Sequence, residues 1–225
     1  MTYSNVVPGL FLDRPNRFIA HVEIDGEVQV CHVKNTGRCR ELLIPGTRVY
    51  LQVADNPARK TKYDLIAVEK GDLLINMDSQ APNRVAADYL PRLFPDLTLL
   101  RPETVHGDSR FDFYLETPAA PWFVEVKGVT LEENGTALFP DAPTQRGVKH
   151  LDGLRQCVKE GYRAMALFVV QMKGPTRFLP NHRTDPAFAA ALSRADQAGV
   201  LLHAVDCLVT PDSLTADAPI PVILT

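Results

Sequence analysis

Asp112, Glu125 and Lys127 lie in one stretch, SRFDFYLETPAAPWFVEVKG (residues 109–128), that otherwise reads as two apolar strands joined by a Pro-containing turn. Charges in such a hairpin are costly to bury unless they share a task. Residues two apart in a strand share a face. Glu125 and Lys127 therefore point the same way as Phe123, while Val124 and Val126 point the other way into a core. If 111–116 pairs antiparallel with 122–128, Asp112 comes opposite the Glu125–Lys127 end, and two carboxylates reach one divalent ion. Mg²⁺ takes a few carboxylates, a backbone carbonyl and water, and Mn²⁺ suits the same oxygen donors. The expected ligands are Asp112, Glu125 and the carbonyl of Val126. Lys127 would orient the metal-bound water or help to deprotonate it, and the bound metal would stabilise charge on a phosphate under attack. The spacing D-x(12)-E-x-K thus points to phosphodiester hydrolysis. The same residues also suit a plainer arrangement, with Glu125 and Lys127 as an exposed salt-bridged face and Asp112 paired with Arg110.

Neighbouring residues add to the first arrangement. Glu103 precedes the hairpin, and Asp88 falls on a helix expected over 82–93. FPDAPTQRGVKHL brings Arg146, Lys149 and His150 to a helix start, where cations oppose the helix dipole but suit phosphate binding.

Two kinds of texture must position these groups. Up to about residue 80, FIAHVEI, EVQVCHV, TRVYLQV, YDLIAVEK and DLLINM read as five short strands. Turn signals at Asp25-Gly26, Pro45-Gly46, Asn56-Pro57 and Gly71-Asp72 separate them. Such spacing suggests a small barrel of the OB-fold kind, although other five-stranded barrels share the pattern. Beyond residue 80 the order is helix, three strands, helix, strand, helix, strand. Val148, Leu151, Leu154 and Val158 mark the core face of a helix within about 143–162. AMALFVV (164–170) suits a strand buried on both faces. Asp185-Pro186 and Gly199 bracket another helix. A hairpin feeding a crossover unit implies a mixed α/β sheet with helices on both faces. The tail 210–225 is expected to wrap the surface. The expected domains are 1–80 and 81–225.

With 24 Lys and Arg against 27 Asp and Glu, bulk attraction to nucleic acid is not implied. Residues 28–62, however, hold seven Lys or Arg (34, 38, 40, 48, 59, 60, 62) against only Glu41 and Asp55. This excess fits a groove that tracks phosphates, with Lys34, Arg38, Arg40, Arg59, Lys60 and Lys62 as the expected contacts beside Arg146 and Lys149. Tyr50 and Tyr63 offer rings for base stacking, though core packing is their simpler role. No helix-turn-helix or RNA-binding motif points to base-specific reading. There is no Gly-rich phosphate loop and no nucleophile elbow, which argues against a small-ligand enzyme. Cys31, His32 and Cys39 lack the spacing of common zinc sites, so the four cysteines are expected as core thiols. No segment approaches the ~20 apolar residues of a membrane span. The N-terminus shows no basic start followed by an apolar run, so the expected compartment is the cytoplasm.

The blocks RFIAHVEI, NTGRCRELLIPG, DNPARKTKYDL, PNRV, SRFDFYLE, FVEVKGVTL, FPDAPTQRGVKHL and GYRAMALFVVQ resemble, in order, those of the sugar fermentation stimulation protein A (SfsA) family, over about residues 8–206. The resemblance implies an N-terminal OB-fold and a C-terminal domain of the PD-(D/E)XK nuclease class. It implies a DNA-binding protein resembling a regulator of sugar (maltose) metabolism genes, with RNA as the alternative partner and a homodimer left open. By position Asp112, Glu125 and Lys127 match the acid–acid–lysine motif, and Glu103 matches the acid that opens the preceding block. These four form the expected catalytic set, with Asp88, Arg110 and His150 in support. Asp88 stands where the family usually has Glu. His32-Val33-Lys34-Asn35-Thr36-Gly37 replaces the usual H-C-P-N-T-G, and Ile75-Asn76-Met77 replaces V-N-T.

Overall fold

The computed structural model describes residues 1–224 apart from Thr36 and Pro57. Thr36 and the Pro57 half of the expected Asn56-Pro57 turn therefore lie outside the described residues.

Strands β1 (Val6–Asn16), β2 (Ile19–Ile24), β3 (Glu27–Val33), β4 (Arg48–Val53), β5 (Tyr63–Lys70) and β6 (Leu73–Asn76) form the first sheet, in the order β3-β2-β1-β4-β5-β6. A parallel pairing of Cys31–Val33 with Tyr63–Leu65 joins β3 to β5 and closes the first five strands into a barrel. This is the OB-fold expected from the strand pattern, but one of its strands differs. β1 escapes the pattern because Pro8 and Pro15 interrupt it, and prolines weaken a strand reading. β6, counted as the fifth strand, instead pairs with β5 alone, outside the ring. Gly9 lets β1 cross β2 closely: a Cβ there would lie 2.6 Å from Val22 Cγ1. Phe11, Val22, Leu51 and Leu65 fill the barrel.

The second half contains α1 (Ala81–Leu93), β7 (Leu99–His106), β8 (Ser109–Glu116), β9 (Pro121–Val129), β10 (Leu131–Glu133), β11 (Thr136–Phe139), α2 (Gln145–Lys159), β12 (Arg163–Val170), β13 (Arg177–Pro180), α3 (Pro186–Gln197), β14 (Leu201–Thr210) and β15 (Ser213–Ile220). Its main sheet is mixed, in the order β15-β14-β12-β9-β8-β7, with β9, β12 and β14 parallel. Ala164 to Val170 are all buried, as a central parallel strand requires. Val124, Val126, Leu167 and Val169 pack with Val85 and Leu90 of α1. On the other face Phe123, Ala166 and Phe168 pack with Leu151 and Leu154 of α2 and Leu192 of α3. Helices thus cover both faces. Burying each such Leu, Val or Phe side chain contributes about 1.5–3 kcal/mol. Thr144 caps α2 through the Gly147 N–H, and Asp185 caps α3 through the Phe188 N–H. Of the four positions expected on the core face of α2, Leu151 and Leu154 are buried while Val148 and Val158 are only half-buried.

Two features depart from the sequence expectations. β10, β11 and β13 form a separate three-stranded sheet, their few residues carrying too little pattern to read. The tail does not simply wrap the surface, since β15 pairs antiparallel with β14 as an edge strand, a place that tolerates Pro219. All four cysteines are free and buried, and burial pushes each thiol up to about 12. No helix among the described residues is long and apolar enough to cross a membrane.

The two halves are joined by more than a linker. One apolar cluster runs from the barrel through Ile75, Met77 and Met172 to Phe168, Phe178 and Phe188. Above it, the buried Gln171 amide donates to Asn76 O, Asn76 Oδ1 and Asp78 O at 3.0–3.1 Å. The Asn76 N–H returns a bond to Gln171 O at 2.9 Å. A second seam ties the first residues to the last strand: Thr2 bridges Ser213, and the Tyr3 N–H donates to Asp212 O. Gln171→Ala strands buried acceptors, so it should cost about 1–3 kcal/mol. The check is a lower urea midpoint with an unchanged m-value.

Candidate metal centre and nucleic-acid face

The ladder between β8 and β9 runs from Glu116↔Pro121 to Phe113↔Val124 and stops there. Beyond that point the Asp112 side chain replaces the backbone: its Oδ2 accepts the Val126 N–H at 2.7 Å. Its Oδ1 accepts from Asn83 Nδ2 of α1 at 2.8 Å. Glu125, 3% exposed, points to the opposite helix, where its Oε1 accepts from Lys127 Nζ at 2.5 Å and bonds His150 Nδ1 of α2. Arg146 Nε in turn reaches His150 Nε2 at 3.4 Å. Glu125 Oε2 is buried with no partner among the described residues.

The electrostatics follow from burial. Desolvation and then the Glu125 charge push the Asp112 carboxyl up, against hydrogen bonds from Val126 and Asn83. Burial also works to raise Glu125, but the His150 hydrogen bond and the Lys127 ammonium outweigh it and hold its carboxyl below the usual range. A buried carboxylate oxygen without a donor beside a second, repelled carboxylate suits a hard divalent cation. Among the described residues no three His, Cys, Asp or Glu side chains gather into a metal cage. A cation here would therefore draw on Asp112, Glu125, backbone oxygen and water.

The plainer arrangement is not what forms. Glu125 is buried rather than on an open face, and Arg110 faces Glu103 at 3.9 Å instead of Asp112. That exposed pair removes Glu103 from the centre. Glu103 adopts φ +49° between Pro102↔Phe113 and Thr104↔Phe111, level with Asp112, and its side chain is 69% exposed. Asp88 is also outside, 71% exposed and 3.6 Å from the N-terminal ammonium. α1 instead contributes Asn83, a position visible only as part of the PNRV block. Lys149 is exposed and lines a separate depression with His106 and Asp152.

The basic residues of the barrel divide into two groups. Arg59 grips the buried Asp64 with both terminal nitrogens at 2.6–2.8 Å, His32 Nδ1 lies 3.0 Å from it, and Lys34 bridges Asp64 and Asp78. Burial opposes ionisation of Asp64, but bonds from Arg59 and His32 prevail and keep its carboxyl low. Lys34 and Arg59 are therefore largely neutralised. Arg38, Arg40, Lys60 and Lys62 are exposed and pair with no carboxylate among the described residues, and Lys62 lies over the Tyr63 ring. Tyr63 is buried and its ring is not offered for stacking, whereas Tyr50 is half-buried, with its hydroxyl donating to Glu69. Arg14 Nη1 and Nη2 donate to four carbonyls, those of Gly37, Arg38, Arg17 and Asn35, at 2.7–2.9 Å. Its charge adds to theirs uncancelled.

Two family models match: "Sugar fermentation stimulation protein RE domain" over residues 80–213 and "SfsA N-terminal OB domain" over residues 12–77. A sugar fermentation stimulation protein homolog of Desulfitobacterium hafniense is 59% identical over 96% of this chain and 95% of its own length. That of Clostridium beijerinckii is 55% identical over 100% of both chains. A solved structure described as Pyrococcus furiosus SfsA in complex with Ca²⁺ has TM-score 0.86 and 29% identity, covering 99% of this chain and 98% of that one.

Because the Asp112 carboxyl is raised in the folded state, its ionised form weakens the fold at neutral pH, and stability is regained as pH falls through its folded value. Asp112→Asn should therefore leave metal-free stability unchanged or higher, at about 2–4 °C for each kcal/mol recovered. If a divalent ion binds here, Mn²⁺ should raise the melting temperature of the parent protein, and Asp112→Asn should abolish that rise. Paired melting curves with EDTA and with Mn²⁺ decide this, and a metal-free loss of several degrees would make Asp112 a structural anchor.

Proposed function

The chain belongs to the sugar fermentation stimulation protein (SfsA) family, and from that premise we propose that it binds nucleic acid and hydrolyses phosphodiester bonds at Asp112 and Glu125 with Mg²⁺ or Mn²⁺. The observation that carries this reading is the partnerless, buried Glu125 Oε2 beside the repelled carboxylate of Asp112. The Pyrococcus furiosus relative, whose description includes bound Ca²⁺, supports a divalent ion here. When bound, such an ion acidifies water and stabilises charge on the phosphate under attack.

The chain's own residues supply the remainder. Asn83 and the Val126 N–H each hold one oxygen of the Asp112 carboxylate, and each oxygen keeps further acceptor capacity. Lys127 Nζ, beside Glu125 Oε1, can turn one of its three N–H donors to an attacking water or to a non-bridging phosphate oxygen. His150, braced by Arg146, holds Glu125 from the helix side so that Oε2 remains the free oxygen. Arg38, Arg40, Lys60 and Lys62 give the barrel its phosphate contacts, on DNA or alternatively RNA.

A second reading rests on the occupancy of Glu125 Oε1: Lys127 and His150 already stabilise that charge without a metal. A regulator that binds DNA and no longer cuts would show this arrangement, and it fits the sugar-metabolism role that the family name records. Cleavage separates the two. On labelled DNA and RNA, Mn²⁺ should produce cleavage that Glu125→Ala lowers by roughly a hundredfold or more. Salt-dependent binding without cleavage, insensitive to Glu125→Gln, would establish the regulator instead.

A further inference from the structure

We infer that the substrate is a single polynucleotide strand, led to the metal centre by a groove around the loop that follows β3. This deepens, and rests on, the nuclease-type reading above.

Three depressions meet at that loop. The first, of about 290 Å³, is lined by Arg14, Arg17, Arg38 and Arg40. The second, of about 320 Å³, lies between the barrel and the main sheet and is walled by Asn35, Gly128, Thr130, Thr144 and Gln171. Gly37 lines both, so the two are neighbours across the loop. Gly128 directly follows Lys127, and Pro82, also on the wall, directly precedes Asn83. The second cleft is therefore walled by the chain neighbours of two residues of the carboxylate centre. The third depression, with His32, Lys34 and Arg59, shares Ser79 with the second and is rimmed by Phe18.

Phe18 is the residue that specifies a strand rather than a duplex. Phe18 is 46% exposed, and the Arg17 guanidinium stands over its ring, 5.0 Å from the centre. The backbone beneath it is fixed: its N–H donates to Asn16 Oδ1 at 2.9 Å, and its carbonyl accepts the Val33 N–H at 2.8 Å. A partly exposed aromatic ring on a fixed backbone, beside the arginines of the first depression, matches a stacking platform for an unpaired base with its phosphate held alongside. A paired base presents no free face to such a ring. The inter-domain cleft, of about 320 Å³, is a hollow on the scale of one nucleotide rather than a broad face for a duplex.

The groove's shape is fixed by contact. Arg14 holds the loop by the carbonyls of residues 35, 37 and 38, and the Arg38 N–H donates to Asp141 across the cleft at 3.2 Å. Opening it wide enough for a duplex would break these bonds together.

The test is anisotropy of a labelled 20-nucleotide DNA strand, the same RNA strand and the blunt DNA duplex, all in EDTA. With the metal centre empty, the outcome is independent of whether the protein cuts. The single strands should bind at least tenfold more tightly than the duplex, the tighter of DNA and RNA naming the source. Phe18→Ala should weaken single-strand binding roughly tenfold and leave duplex binding unchanged, with Phe18→Trp restoring it. Arg38→Ala/Arg40→Ala should lower the salt slope on single strands by about 1.4, two phosphates at ~0.7 each. Duplex binding equal to or tighter than single-strand binding, or single-strand binding indifferent to Phe18→Ala, overturns the inference. Failure of Mn²⁺-dependent cleavage with strand preference intact overturns only the hydrolytic reading.

Discussion

The hydrogen bond from the Val126 N–H to the Asp112 carboxylate sets the geometry of this molecule's centre. A ladder of backbone bonds would have carried β8 alongside β9 to its end. Here a side chain takes over one residue past the last rung, so a charged group replaces a carbonyl in the sheet. The substitution leaves a half-buried Asp112 near the buried Glu125, where like charges repel more than they would in open water. α1 is obliged to present Asn83 to one carboxylate, and α2 to present His150 to the other. The apolar faces of these helices pack on the same strands, which makes the charged cluster and the two cores one mechanical unit.

The barrel applies the opposite logic to its charges. Asp64 is deeply placed and draws in Arg59, His32 and Lys34, so much of the local basic excess stabilises the fold rather than facing outward. The arginines that remain for an anion sit on the loop after β3 and at the turn between β1 and β2. Arg14 satisfies carbonyls, which carry no net charge, and so secures the loop without losing its own field.

How much of this was legible varied with the range of the signal. The alternation in FVEVKG fixed which residues share a face, and Phe123, Glu125 and Lys127 do lie toward α2 with Val124 and Val126 toward α1. β12 was legible because a strand buried on both faces needs an uninterrupted apolar run. β1 was not, because Pro8 and Pro15 remove the alternation while its pairing on both sides supplies the order. Among the charged residues, strand spacing brought Asp112, Glu125 and Lys127 together, while the contact of His150 with Glu125, rather than with a phosphate, came only from packing. Glu103 and Asp88 stand apart from these in the structure, Glu103 exposed beside Arg110 and Asp88 exposed beside the N-terminal ammonium. Asn83 and the pairing of Arg59 with Asp64 depend on three-dimensional packing, and a residue's type does not declare whether its charge is already matched.

The seam between residues 1–3 and 212–214 gives the chain an order of assembly. The barrel strands and the linker to α1 emerge early in synthesis and can close on themselves. The N-terminal ammonium reaches the Leu214 carbonyl across 213 positions of sequence, and that contact must wait for β15. Such distant pairings make folding slow, since chain entropy is lost well before the contact returns anything. The first few residues therefore close the structure last, although they are made first. Without this contact the barrel would remain, but the Ser213 end of β15 would lose its outer bridge to Thr2, leaving more of that edge open to pairing with another chain.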